Sequence, residues 1–98
     1  MKLPIVYRPE ALSDLVAARD WYERELSGLG DQFADVVEEL IDRIETMPEM
    51  YAALFRGVRP AKLRKFPFVL YYRVLNEWIE VLALMHGSRD PQAWRSRA

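Results

Sequence analysis

From Lys65 to Trp94 the chain carries its most strand-like stretch, KFPFVLYYRVLNEWIEVLALMHGSRDPQAW, which also holds the single histidine. Apolar residues recur here with a period of two, the period of a pleated strand with one buried face. Breaks at Arg64-Lys65 and Asn76-Glu77 divide 56–87 into three strands, about 56–63, 66–75 and 78–87, and a meander of two hairpins is their simplest connection. With Asn76-Glu77 as a two-residue turn, Val74 faces Ile79, Tyr72 faces Val81, Leu70 faces Ala83 and Phe68 faces Met85, so all of these share one face. The same register sends Arg73, Glu80, Tyr71, Leu82, Pro67 and His86 to the other face. Taking Arg64-Lys65 as a second turn brings Lys62 across from Pro67, into the neighbourhood of His86. It also places Arg59 on the apolar face, which calls for a bulge or a longer loop.

An apolar face of this size needs a cover, and the first half of the chain supplies one. Leu3 to Tyr7 reads as a short first strand. Pro9 suits the first turn of a helix over about 9–27, in which Leu12, Leu15, Tyr22 and Leu26 recur at helical spacing. A second helix follows, with Phe33, Val36, Val37, Leu40, Ile41 and Ile44 on one side and Asp35, Glu38, Glu39, Asp42 and Glu45 on the other, and Pro48 stops it. The link Gly28-Leu29-Gly30 is short enough to force an antiparallel helical hairpin. The expected architecture is α+β: a two-helix hairpin packed on one face of a small antiparallel sheet of three or four strands, a single domain over 1–98. The residues from Asp90 read as a short basic tail with one helical turn.

The chain is 51% hydrophobic and 30% charged, within the range of folded globular proteins. With no cysteine, neither a disulfide framework nor a thiolate metal site is possible. No signal-peptide pattern and no apolar run near the length of a bilayer span is visible, so a cytoplasmic protein without membrane attachment is expected. Net charge is −1, but residues 1–50 carry five Lys/Arg against twelve Asp/Glu, whereas residues 51–98 carry nine against three. Such a split fits a basic face for an anionic partner; it equally fits acidic helices neutralising a basic sheet.

Chemistry-bearing motifs are few. There is no Gly-rich phosphate loop, no pair of histidines or carboxylates at metal-ligand spacing, and no serine in a nucleophile elbow, so neither a metal nor a cofactor is expected. One arrangement has catalytic content: His86 as general acid or base, with Lys62, Arg64 and Arg89 holding a phosphate and its developing charge, as RNA cleavage requires. The competing reading is that His86 simply ends a strand and hydrogen-bonds locally. Trp21, Trp78 and Trp94 read as packing or interface anchors.

The blocks ALSDLVAARDWYERE, GLGDQFADVVEELIDRIETMPEM, FRGVRPAKLRKFPFVLYYRV and IEVLALMHGSRDPQAW together resemble the RelE/ParE superfamily of bacterial type II toxin-antitoxin toxins, also called plasmid stabilisation proteins. The most specific residues are Lys65, Phe66, Pro67, Phe68, Tyr71, Tyr72, His86, Arg89, Asp90, Pro91 and Trp94, which look like the ParE-type branch. The resemblance implies the same helical hairpin on an antiparallel sheet. It implies two different activities: RelE-like members cut mRNA on the ribosome with basic residues and a late Tyr or His, whereas ParE-like members poison DNA gyrase without that catalytic set. The near-neutral charge and the lack of a Tyr after His86 favour the gyrase branch. Ser88 stands where some ParE relatives carry the first of two arginines. A cognate antitoxin is the implied partner, with Trp21, Tyr22 and Trp78 as candidate anchors and His86, Arg89 and Trp94 as candidate target contacts. A relative that binds antitoxin without toxicity is the third reading.

Overall fold

A computed structural model describes residues 2–98. Strand β1 (Ile5–Tyr7) leads into helix α1 (Pro9–Glu25), and α2 (Leu29–Thr46) returns antiparallel to it. Strands β2 (Val58–Lys62), β3 (Phe68–Val74) and β4 (Ile79–His86) follow as the expected meander, and a single turn of helix, α3 (Gln92–Arg95), ends the chain. Sheet order is β1-β4-β3-β2. β1 joins the edge of β4 in parallel, Ile5 opposite Ile79 and Tyr7 opposite Val81, so a parallel edge strand completes an otherwise antiparallel sheet.

The helical hairpin closes tightly for reasons visible in its link. Gly28 takes a left-handed φ of 88° at the start of α2. Gly30 lies so close to α1 that an added Cβ would stand 2.7 Å from the carbonyl oxygen of Arg19. Glu23 reaches across and accepts hydrogen bonds from the amides of Gly28 (2.9 Å) and Gly30 (3.0 Å), satisfying donors at the start of α2 that have no partner within the helix. α2 buries Phe33, Val36, Val37, Leu40 and Ile44, the predicted stripe. α1 departs from expectation. Its inward strip is Ala11, Leu15, Ala18 and Tyr22, whereas Leu12 and Leu26 point to solvent, 47% and 62% exposed. Small alanines let the helix backbone approach the sheet, a signal that counting large apolar residues overlooks.

The β3–β4 register starts as predicted, with Val74 opposite Ile79, Arg73 opposite Glu80 and Tyr72 opposite Val81. It then slips: Tyr71 pairs with Ala83, and Leu82 is the extra residue of a β-bulge. Beyond the bulge every side chain of β4 changes face. Leu84 joins Leu70, Tyr72, Ile79 and Val81 under the helices, while Ala83 and Met85, expected there, lie on the opposite face. The β2–β3 register is shifted by two residues from the expected one, Lys62 facing Val69, because a five-residue connection with Lys65 at φ 71° replaces the tight turn. A shift of two preserves sidedness. Arg59 therefore does lie on the helix side, and its guanidinium is satisfied by donating to the carbonyls of Tyr51 (2.5 Å) and Glu49 (3.3 Å).

The face away from the helices is not an open polar surface. Val58, Tyr71, Leu82, Ala83 and Met85 form a second core closed by Trp94 of α3, whose ring stacks on Tyr71 at 4.8 Å between centroids with 17° between planes. The tail is fastened by Arg97. Its guanidinium donates to Asp14 of α1 (2.6 Å) and to the carbonyl of Leu82 (3.0 Å), and Asp14 also accepts the amide of Leu84 (3.1 Å). β1 ends opposite Val81, so these two side chains satisfy the bare edge of β4 that the bulge leaves behind.

Candidate functional site

The bulge decides where His86 points. Shifting parity brings His86 opposite Phe68 and turns its ring toward the helix side, edge-on to Phe68 at 5.8 Å. The amide of Gly87 donates to the Pro67 carbonyl (2.8 Å) and the amide of Arg89 to the His86 carbonyl (3.0 Å), fixing the turn that follows. Nδ1 of His86 accepts the Ser88 amide (3.1 Å) and lies 2.7 Å from Ser88 Oγ, so Nε2 is the ring nitrogen left to a partner.

Around this histidine two hollows open side by side between α1 and the open end of the β3–β4 hairpin. One, about 310 Å³, is lined by Trp21, Tyr22, Pro67, Phe68 and His86. The other, about 270 Å³, is bounded by Asp14, Ala17, Phe68, Leu84, His86 and Arg89 among others. Tyr22 belongs to an aromatic cluster, 4.8 Å from Phe66 and 5.2 Å from Phe33, while Trp21 beside it is 51% exposed. The groove thus has a rigid aromatic floor and a free indole at its rim. Burial raises the phenols of Tyr22 and Tyr71 above their ordinary value of 10.0, so neither supplies a phenolate base near neutral pH.

The other predicted site residues scatter. Lys62 lies on the face away from the helices and His86 on the helix side, so the expected neighbourhood of the two is absent; the bulge is the cause. Arg64 folds back onto α2, donating from Nε and an Nη to the two carboxylate oxygens of Glu39 at 2.8 and 2.9 Å. That hydrogen bond holds the Glu39 carboxyl below its usual range and raises Arg64. Only Arg89 joins His86. Trp94, expected as a surface contact, is 4% exposed and belongs to the second core. Trp78 sits at the β3–β4 turn, where a separate hollow is lined by Val74, Leu75, Asn76, Glu77 and Trp78, at the far end of the hairpin from Trp21 and Tyr22. Asp14 and Arg97, which organise the β4 edge beside the groove, escaped sequence reading because they are 83 positions apart. Among the described residues, no three of His, Asp and Glu converge to hold a metal ion, and no helix is long and apolar enough to cross a membrane.

Comparison with known proteins agrees with this architecture. The ParE toxin of the type II toxin-antitoxin system parDE is the family whose model matches residues 5–91. Toxin ParE2 of Mycobacterium tuberculosis, in strains CDC 1551 / Oshkosh and ATCC 25618 / H37Rv, is 35% identical over 69 residues, 70% of this chain. The match spans 63% of the length of those relatives. A solved chain from the chromosomal ParDE TA system from P. aeruginosa superposes with a TM-score of 0.63 at 19% identity, covering 87% of this chain and 96% of that one, which speaks for the fold alone. The family match covers both helices of the hairpin and every strand, and the chain belongs to the ParE toxin family of type II toxin-antitoxin systems.

Proposed function

We propose that this chain is the toxin of a type II toxin-antitoxin pair, is neutralised by a cognate antitoxin, and acts on DNA gyrase in the ParE manner without cutting RNA. The observation that carries the second half is the dispersal of the basic set. General acid-base cleavage of RNA needs a proton-transfer group and cations around one phosphate. Here Lys62 is on the opposite face, Arg64 is held by Glu39, and Arg89 alone stands beside His86. Family membership supports the first half.

The antitoxin reading draws on the outer side of α1, where Leu12 and Val16, one turn apart, and Trp21 are each roughly half exposed. A partner segment laid along α1 covers them and seats a side chain in the aromatic groove, with Trp21 and Tyr22 as anchors. Reaching Trp78 as well requires an extended segment, since Phe68 and Val74 mark the two ends of β3, about 20 Å apart at ~3.3 Å per residue. Inducing the chain in a bacterial host without antitoxin, then mapping transcripts and assaying gyrase, tests the target. Trapped cleaved DNA with intact transcripts is expected; ribosome-dependent cuts that vanish with His86→Ala would sink the reading. Alanine at Trp21 and Tyr22 should weaken antitoxin capture at least tenfold.

A further inference from the structure

We infer that the sheet face turned away from the helices is a binding surface for duplex DNA, gripping the phosphate backbone through Arg56, Lys62 and Arg95. Arg56 and Arg95 cluster at the start of β2, and Lys62 stands at its other end on the same face, for structural reasons. A tight turn, with Arg56 at φ 51° and Gly57 at 77°, starts β2 and sets Arg56 beside Phe55. Arg95, on α3, lies over both Phe55 (5.3 Å to the centroid) and Trp94 (5.5 Å), and Arg56 lies 5.2 Å from Phe55. Lys62 ends β2 on the same side, since Val58, Pro60 and Lys62 alternate with the helix-facing Arg59 and Ala61.

All three are exposed, and none has a carboxylate within ion-pair distance among the described residues. Of the second half's three acids, Glu80 pairs with Arg73 at 2.8 Å, Asp90 accepts the amide of Gln92 at 2.9 Å, and Glu77 lies in the β3–β4 turn. Stacking on aromatic rings restrains the two guanidinium groups while leaving their N–H edges to solvent, an arrangement prepared for anions. The second half's excess of positive charge is therefore only partly spent on internal pairing. On the other side of the molecule α2 presents Asp35, Glu38 and Asp42, which repel a polyanion and leave the sheet face as its approach.

The spacing of the cations along β2 selects among anions. Arg56 and Arg95 stand at the start of β2 and Lys62 at its end, so the cations are spread along the strand. Cations at both ends of a five-residue strand, about 13 Å apart at ~3.3 Å per residue, suit the repeated phosphates of a duplex. The place of this contact in the cell rests on the gyrase reading, because gyrase works on duplex DNA; the binding itself does not.

Fluorescence anisotropy of the full chain with a labelled mixed-sequence duplex of about 20 base pairs tests it, titrated between about 50 and 200 mM salt. Three phosphate contacts predict a log–log salt slope of about −2.7, which is about a 40-fold loss of affinity over that range. Lys62→Glu, which touches no packing, should weaken binding at least tenfold, and adding Arg56→Ala and Arg95→Ala should abolish it. Arg24→Ala and Arg43→Ala, on the helical side, should change nothing. Undetectable binding at the lowest salt, or binding indifferent to Lys62→Glu, would overturn the inference. So would variants that lose capture of the antitoxin while keeping the duplex. Duplex binding by a chain that leaves gyrase unaffected would uphold this surface and remove the gyrase reading.

Discussion

Replacing Asp14 with alanine tests how the bare edge of β4 is held. Asp14 accepts the Leu84 amide at 3.1 Å and pairs with Arg97 at 2.6 and 3.3 Å, and the two charged side chains are 18% and 20% exposed. Removing the carboxylate leaves the amide of a buried residue without an acceptor, a cost of about 1–3 kcal/mol. It also leaves Arg97 short of its counter-charge; a fully buried pair broken this way costs about 3–5 kcal/mol, and partial exposure reduces that. The two effects overlap, because Arg97 keeps the Leu82 carbonyl, so the total expected is about 2–4 kcal/mol. For a domain of this size that lowers Tm by roughly 10–25 °C. Asp14→Asn retains an acceptor for Leu84 and should cost about half as much. Urea denaturation of both variants gives the numbers, and a double-mutant cycle with Arg97→Ala should show coupling of at least about 1 kcal/mol. Both variants within about 0.5 kcal/mol of the parent would refute the account of the edge.

Two further outcomes follow from the second core and from the sheet centre. Trp94→Ala should cost about 3–5 kcal/mol, read by thermal denaturation, because it removes a buried ring stacked on Tyr71. Tyr72 is fully buried, donates to the Pro48 carbonyl at 2.5 Å, and has its pKa pushed up to about 12 by burial. Between pH 10 and about 12 the unfolded chain has lost this proton and the folded chain keeps it, so stability is full below pH 10 and falls by about 2–3 kcal/mol through that window. Urea denaturation at stepped pH, compared with Tyr72→Phe, isolates the contribution; a parent whose pH dependence matches that of the variant would remove the assigned cause.

Much of this fold is legible in the chain because its signals are local. The Gly28-Leu29-Gly30 link, the stripe on α2 and the Asn76-Glu77 turn each depend on residues a few positions apart. The bulge at Leu82 has no such signal: Val81 to Met85 is an uninterrupted apolar run without glycine or proline, so nothing marks a break in the pleat. That one residue moves Ala83 and Met85 to the second face, turns His86 toward α1, and separates it from Lys62. The tail is illegible for a different reason. Trp94 and Arg97 look like a basic aromatic end, and their roles come from Tyr71 and Asp14, far away in sequence. His86, Arg89, Trp21 and Tyr22, singled out in the sequence, line the two hollows beside α1, while their grouping there required the register.

We propose that this ParE-family chain acts on gyrase and that its scattered basic residues do not cut RNA. Supercoiling of relaxed plasmid by purified gyrase, with the chain added and then with chain plus antitoxin, tests it most directly. The expected result is that the chain blocks supercoiling or traps cleaved DNA, that antitoxin relieves the effect, and that transcripts stay intact. Full supercoiling in the presence of the chain, together with ribosome-dependent transcript cleavage lost in His86→Ala, would contradict it.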